Sequence, residues 1–421
     1  MIAFFSFLVW KVPFFRNSAL RTWHILSAFY LKLCLAVAFF LIYTHYAAYR
    51  QQSDSQAFYH SAAQFAGIAY ADFGDFVRAS VGISPKNAEI AEQIQHIPLW
   101  NRPYDMAVPN DTRFTLILYS WLYLISFGFL PLMLIFSNII AFLGLFALFR
   151  AFLLAGSKKL PAAIACFAIP STLFWSSGLL KEVWLLLFLG FILYSALQFF
   201  ATRNIRFALF ALLWAIALIH IKIYIAAIAL PLIGIFALRR TFPRTKAMVF
   251  YLCAFGGFAF AAILLCLIFN YNSVEIIVNQ RNTFVRMLEF QNHSTILLTT
   301  FSGSYFMAAL HMLAGFFQSL LRPSLFDVHN IWLFFAGIEN TLIVVLILCA
   351  LFYCVKNNCK PSDYAILAIV FVIAVFVLIG FTTPNLGALQ RYKSPLLPFV
   401  VVLCGNAVCT YRNFPFKNCA V

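Results

Sequence analysis

Apolar runs of about 20 residues recur along this chain and constrain its fold more than any other feature. An α-helix rises about 1.5 Å per residue, so about 20 apolar residues cross the roughly 30 Å hydrocarbon core of a bilayer. Only 10% of the 421 residues are charged, against roughly 25% in soluble domains, which excludes a soluble globular protein. The runs are continuous and do not alternate every second residue, which excludes a transmembrane β-barrel. We predict an all-α polytopic membrane protein.

The hydropathy of the sequence predicts about ten transmembrane helices, with both termini on one side, in a single membrane domain that covers residues 1–421. The predicted spans are residues 24–46, 130–149, 160–176, 183–200, 206–219, 223–238, 247–269, 332–355, 364–381 and 394–411.

Three segments lie outside these spans. Residues 1–22 are predicted to form an interfacial helix on the side of the termini. Residues 47–129 and 270–331 form two long loops on the opposite, outer side, and both loops carry predicted interfacial helices. In the second loop, we expect the apolar stretch Gly303 to Leu321 to lie along the outer surface of the membrane.

The distribution of charge supports this topology. Seventeen of the 29 Lys and Arg residues, Lys32 among them, fall on the predicted side of the termini, with a single acid, Asp363. That side therefore carries the whole net charge of +16. By the positive-inside rule the termini are cytoplasmic, and we predict a multi-pass protein of the plasma (inner) membrane. The basic charge is then a contact for membrane lipids, and no nucleic-acid partner is predicted.

Two predicted hairpins are too short to reach across the bilayer. The two spans in residues 206–238 have only about 14–16 residues each, or roughly 21–24 Å, so the tip His220 to Tyr224 lies below the outer surface. The same argument applies to residues 160–200, whose tip ends in Lys181-Glu182. A charge at such depth costs about 2.5–3.5 kcal/mol, so these residues normally line a polar cavity.

We expect Lys181, Glu182, Lys222 and His220 to border one recess that opens to the outer side. The alternatives are that Lys181 pairs with Glu182, that both reach the interface, and that His220 is a satisfied histidine of the bundle.

Further charges are predicted near the same face. A Pro- and Gly-containing loop before the last span carries Arg391, Tyr392 and Lys393. Cations of this kind suit a lipid phosphate, because Arg can bind phosphate oxygens with two donors and Lys acts as a point charge. Arg322 is a candidate partner for Glu339. Asp327 and His329 come shortly after Arg322 in the sequence.

A carboxylate follows the first span. Asp54 lies in the run Ser53 to His60, in which Tyr59 and His60 are candidates for binding the substrate or its lipid phosphate. A carboxylate that faces several cations can take a proton from an acceptor while the cations hold a leaving phosphate.

In this layout the chain resembles the GT-C class of integral-membrane glycosyltransferases, the broad group of protein O-mannosyltransferases, aminoarabinose transferases and RgtA/B/C/D-like enzymes. The resemblance covers most of the chain. It rests on a first span followed by Asp54-x4-Tyr59, on hairpin-paired spans, and on Arg391-Tyr392 before a Pro-containing last span.

The resemblance implies a polyprenyl-phosphate sugar as donor and a glycolipid, polysaccharide or protein as acceptor. Asp54 would be the catalytic carboxylate, and Arg391 would face the lipid phosphate with Lys222 and Tyr224 nearby. Many GT-C enzymes have a second acid beside the first, whereas Asp54 is flanked by serines. The second carboxylate would then come from Asp72, Asp105 or Glu182.

No cofactor is predicted, since the outer loops contain no Asp-x-Asp pair or His-x-x-x-His spacing, and a role for a divalent metal stays open. Two other functions remain as alternatives. One is a polysaccharide polymerase or ligase that uses polyprenyl-diphosphate glycans. The other is a lipid or glycan transporter, for which inverted repeats and broken helices at the bilayer midplane are typical.

Overall fold

The computed structural model describes residues 2–45, 53–101, 110–242, 246–268, 272–289, 298 and 300–409. In this part of the chain the secondary structure is helical, with no β-strand. The described residues form two compact units, Met1–Leu154 with Cys166–Ala226, and Ala155–Ala165 with Ala227–Val421. The single domain over residues 1–421 stays a prediction.

The α-helices are numbered in chain order. Those of the first half are α1 Ile2–Lys11, α2 Pro13–Arg16, α3 Thr22–His45, α4 Asp54–Ala71, α5 Phe73–Ser80, α6 Ala88–Gln95, α7 Asp111–Ile125, α8 Leu130–Leu154, α9 Lys159–Phe167, α10 Pro170–Trp175, α11 Lys181–Thr202 and α12 Ile205–Ile221. Those of the second half are α13 Ile223–Thr241, α14 Ala247–Ile268, α15 Ser273–Glu289, α16 Tyr305–Leu321, α17 Ile331–Lys356, α18 Asp363–Thr382, α19 Leu386–Lys393 and α20 Leu397–Cys409.

Six helices in the described part of the chain are long and apolar enough to cross a membrane, which makes this a multi-pass helical membrane protein. They are α3, α8, α11, α13, α17 and α18, and each matches a predicted span. The other four predicted spans correspond to the broken pair α9 and α10 and to α12, α14 and α20. Of these, α12 and α20 have only 17 and 13 residues. The total of about ten spans therefore stays a prediction.

In the first unit, α8 and α11 pack with their backbones almost in contact. A Cβ atom at Gly144 would lie 2.5 Å from the backbone of Leu186, and a Cβ atom at Gly190 would collide with the carbonyl oxygen of Gly144. Such close approach of two helices requires residues without a side chain at the crossing, as in other membrane bundles.

The N-terminal helices pack on the first unit through aromatic side chains. Phe5 of α1 contacts Phe29 and Phe142 at ring-centroid distances of 4.5 and 6.0 Å. The Arg150 guanidinium donates to the carbonyl oxygen of Phe14, at 3.0 Å. The other face of α1 is exposed and aromatic, as expected of an interfacial helix; it carries Phe4, Phe7 and Trp10.

The long loop predicted at residues 47–129 contains a small hydrophobic core of its own. Side chains of α4, α5, α6, α7 and the segment after α6 form this core; its aromatic members are Phe65, Phe76 and Trp100. The backbone amides of Lys86 and Asn87 donate to the Asp75 carboxylate at 2.7 and 2.9 Å, and these bonds lower the pKa of Asp75. The segment is therefore a folded layer, not an open loop.

In the second unit, α16 lies antiparallel along α18. Gly315 faces Gly380, and one turn further the Ser319 hydroxyl donates to the carbonyl oxygen of Phe376, at 2.7 Å. Because α18 is a candidate span, a helix packed lengthwise on it does not lie flat on the membrane. This packing favours a helix that enters the membrane over the predicted helix along its surface, and the small residues at the contact permit it.

We expect Gly144→Ala to destabilise the protein by about 1–3 kcal/mol, because the added methyl group forces α8 and α11 apart. The matched control is Gly234→Ala in α13, where a Cβ atom meets nothing within 4 Å. Thermal unfolding of the detergent-solubilised protein measures both variants, and equal melting temperatures for the two would contradict the packing described here.

Candidate functional site

A non-helical turn is buried in the first unit between α10 and α11. It comprises residues 176–180 and is called the buried turn below. Ser176, Ser177 and Leu179 have no exposed surface, and Leu180 is 2% exposed. A second break precedes α10, which begins with Pro170, because Pro lacks the N–H that would continue α9 and disfavours a helical residue before it.

Lys32 of α3 binds the chain where α10 ends. Its ammonium donates to the carbonyl oxygens of Leu173 and Ser176, at 3.3 and 3.0 Å, and to the hydroxyls of Ser176 and Ser177, at 2.8 and 3.4 Å. The last carbonyl groups of a helix have no partner within the helix. Lys32 supplies such a partner to the carbonyl group of Leu173.

Three other helices form hydrogen bonds with backbone groups of the buried turn. From α8, the Asn138 amide donates to the carbonyl oxygen of Ser177, and the Ser137 hydroxyl to that of Gly178, at 2.9 and 3.2 Å. The phenol of Tyr119 in α7 donates to the carbonyl oxygen of Leu180, at 2.8 Å. The Ser55 hydroxyl of α4 accepts from the Leu179 amide at 3.0 Å.

The position of Lys32 differs from the prediction that placed it on the cytoplasmic side. It lies ten residues after the start of the span Thr22–Thr44 and is fully buried. That is about 15 Å from the start of a helix that spans the membrane. Because the buried turn contacts Lys32, it lies beside the middle of this helix. The helix lengths predicted only that the tip containing Ser176 lies below the outer surface.

Directly after the buried turn, two ion pairs form what we call the charged cluster: Asp111, Lys181, Glu182 and Lys222. Lys181 lies 2.8 Å from the Asp111 carboxylate and donates to the Thr112 hydroxyl, also at 2.8 Å. Glu182 pairs with Lys222 at 3.3 Å, and their side chains are 0% and 5% exposed. Lys181 thus has Asp111 as a partner, and the alternative in which it pairs with its neighbour Glu182 stays a prediction.

Lys222 occupies the junction of α12 and α13. It has an extended backbone (φ −151°, ψ 91°), and its ammonium lies 5.7 Å from the ring centre of Tyr224. The break at this tip agrees with the prediction. His220 is exposed, and its Nδ1 atom contacts the carbonyl oxygen of Ile216 at 2.9 Å, so the structure does not bring it into the charged cluster.

Asp54 is the first residue of α4 and is exposed, while Ser53 and Ser55 on either side are buried. Since the Ser55 hydroxyl binds the amide of Leu179, the beginning of α4 lies beside the buried turn. Leu179 precedes Lys181 by two positions in the sequence. His60 is exposed. The Tyr59 hydroxyl donates to the carbonyl oxygen of Gly128 at 2.9 Å, which fixes the end of α7.

The remaining predicted cations lie in the second unit. The Lys393 ammonium donates to Asn340 Oδ1 and to the carbonyl oxygens of Arg322 and Ser319, at 2.6, 2.6 and 3.3 Å. An ammonium has three protons, so Lys393 has an acceptor for each of them, two at the end of α16 and one on Asn340 of α17. This differs from the predicted contact with a lipid phosphate.

Arg322 lies 3.8 Å from Asp327, which is the ion pair that the structure gives it in place of the one expected with Glu339. His329 contacts the carbonyl oxygen of Asp327 through Nδ1, at 2.9 Å. The Arg391 guanidinium lies 5.9 Å from the ring centre of Tyr392. Their contact with a lipid phosphate stays a prediction.

Of the three candidates for a second carboxylate, Asp72 accepts from the Asp75 amide at 2.9 Å and begins α5. Glu182 is paired with Lys222, and Asp105 lies outside the described residues. Asp111 was not predicted for this role, although it is 29% exposed and contacts Lys181. Among the described residues, no three His, Cys, Asp or Glu side chains group as metal ligands.

Sequence reasoning also missed Arg281 of α15. It is 2% exposed and lies over the ring of Phe381, at 4.8 Å from the ring centre. The sequence feature that could have indicated it is an Arg within an amphipathic run.

Comparisons with models of protein families, with curated proteins and with solved structures find no match for this chain.

We expect Glu182→Gln to destabilise the protein by about 3–5 kcal/mol, because it leaves the buried Lys222 without its opposite charge. The double variant Glu182→Gln with Lys222→Met removes both charges and should recover most of this loss. Unfolding of the four proteins in a denaturing detergent gives the coupling free energy. Additive effects of the two substitutions would show that the pair is not coupled.

Proposed function

We propose that this protein is a membrane glycosyltransferase of the GT-C type. It moves a sugar from a polyprenyl-phosphate donor to a glycolipid, polysaccharide or protein acceptor at the outer face of the plasma membrane. The observation that carries the proposal is the position of Asp54: an exposed carboxylate at the beginning of α4, with the next residue bound to the buried turn that leads into Lys181.

The chemistry follows from this arrangement. The Asp54 carboxylate takes the proton of the acceptor hydroxyl, whose oxygen attacks the anomeric carbon of the donor sugar. A bond forms between this oxygen and the anomeric carbon, and the bond from that carbon to the lipid phosphate breaks. The leaving phosphate keeps the bonding electrons, so cations near it lower the barrier.

In the first unit, Lys181 is the predicted cation best suited to this phosphate. Lys181 is 17% exposed and its partner Asp111 is 29% exposed, so this ion pair is open to solvent or to a ligand on one side. Arg391 remains the cation that the family resemblance assigns to the lipid phosphate. Lys222 is less suited, because it is buried against Glu182. Its contribution is to fix the beginning of α11.

A lipid or glycan transporter is the second candidate, and a specific observation favours it. Broken helices near the bilayer midplane are typical of transporters, and the break between α10 and α11 lies beside the middle of α3. A transporter, however, has no need of a carboxylate positioned as Asp54 is. Substitution of this residue therefore separates the two functions.

We expect Asp54→Asn to reduce sugar transfer by about 100-fold or more, because the amide cannot accept a proton as a general base. The measurement is a profile of lipid-linked and surface glycans from cells that lack the protein, complemented with wild type or variant at equal membrane levels. The matched control is Glu92→Gln, an exposed acid of the same long segment.

Wild type and Glu92→Gln should both restore a missing sugar, and that sugar identifies the product. If Asp54→Asn restores it equally well, Asp54 is not the base. A transporter, or a polymerase or ligase that uses polyprenyl-diphosphate glycans, then becomes the better hypothesis.

A further inference from the structure

The ammonium of Lys32 is surrounded by neutral oxygen atoms. Its four contacts are two carbonyl oxygens and two hydroxyl oxygens at 2.8–3.4 Å. In the described part of the chain no carboxylate pairs with it. A cation at this depth is therefore held by oxygen dipoles alone, and the structure must supply them in number.

The hydroxyl protons are directed away from Lys32. The Ser176 hydroxyl donates to the carbonyl oxygen of Thr172 at 2.7 Å, and the Ser177 hydroxyl donates to that of Leu173, also at 2.7 Å. Each hydroxyl therefore presents a lone pair to the ammonium. All four oxygens around Lys32 act as acceptors, and the three protons of the ammonium are shared among them.

The same set of donors occurs where membrane proteins coordinate free cations. In transporters with broken helices, the carbonyl oxygens at the end of a half-helix and neighbouring hydroxyls bind a monovalent ion at the midplane. Here α10 ends in this way beside the middle of α3. The position that such an ion would occupy is taken by the Nζ atom of Lys32.

We propose that the end of α10 and the buried turn form a monovalent-cation site, and that Lys32 fills it with a covalently attached cation. Removal of the Lys32 side chain then leaves a site for a small monovalent ion, of which ammonium is the closest in charge and hydrogen bonding. The attached cation keeps the site filled whatever the ionic composition of the surroundings.

Lys32 is by the same argument a positioning residue for the charged cluster. Lys181 is the fourth residue after Ser177, and Lys32 binds Ser176 and Ser177 at the beginning of the buried turn that leads to Lys181. This part of the inference rests on the proposed function, whereas the cation site does not.

The test uses the full-length protein in detergent and compares wild type with Lys32→Ala, Lys32→Met and the control Lys11→Ala, at an exposed lysine. Melting temperatures are measured in ammonium chloride and in choline chloride at equal ionic strength. Lys32→Ala should melt several degrees lower than wild type in choline and recover part of this loss in ammonium, which is small enough to enter the site.

Wild type and Lys11→Ala should respond equally to the two salts. Lys32→Met should be destabilised and not rescued, because its side chain fills the space without a charge. Equal responses of Lys32→Ala to ammonium and choline, or a Lys32→Met protein as stable as wild type, would overturn the cation site.

Ser176→Ala keeps Lys32 and removes its shortest contact, so it tests the site if Lys32→Ala does not fold. Its melting temperature should fall below that of wild type, and an unchanged value would count against the proposal. Sugar transfer is measured separately: ammonium should restore both stability and transfer in Lys32→Ala. If ammonium restores the stability of Lys32→Ala but wild type itself transfers no sugar, the cation site stands and the proposed function is rejected.

Discussion

A backbone that leaves the helical conformation inside a membrane must find its hydrogen bonds within the protein, because the hydrocarbon offers none. The buried turn is where this requirement is most severe in the first unit. Its carbonyl and amide groups bind Lys32, Ser55, Tyr119, Ser137 and Asn138. These residues come from four helices, α3, α4, α7 and α8, so one five-residue segment holds together elements that are distant in sequence.

The same constraint explains where the charges lie. Lys181 and Glu182 begin α11 directly after the buried turn, so their depth and direction follow from how that turn is held. Each then pairs with a residue at the end of another helix, Asp111 at the start of α7 and Lys222 at the end of α12. Acidic and basic residues therefore gather at helix ends, where the backbone also has unsatisfied groups.

The sequence predicts those features that depend on length and hydropathy. The breaks at Lys222 and before Lys181 follow from helices too short for the bilayer, and the six long apolar helices follow from composition. The sequence does not predict which residues form hydrogen bonds or helix contacts with one another. Lys32 lies in a uniformly apolar helix, and its acceptors are 141 to 145 residues away. Likewise, an apolar helix of 17 residues fits a membrane surface as well as a helix interface, and the contact of Gly315 with Gly380 favours the interface.

The separation in sequence between Lys32 and its acceptors bears on how the protein is made. Residues 173–177 leave the ribosome after at least 141 more residues have been added, which takes roughly 7 to 28 s at typical rates of synthesis. During this interval α3 carries a charge for which none of the final acceptors exists. Lipid headgroups, water or the insertion machinery must accommodate that ammonium until α10 arrives. Assembly of the first unit therefore cannot be completed before the segment that receives Lys32 enters the membrane.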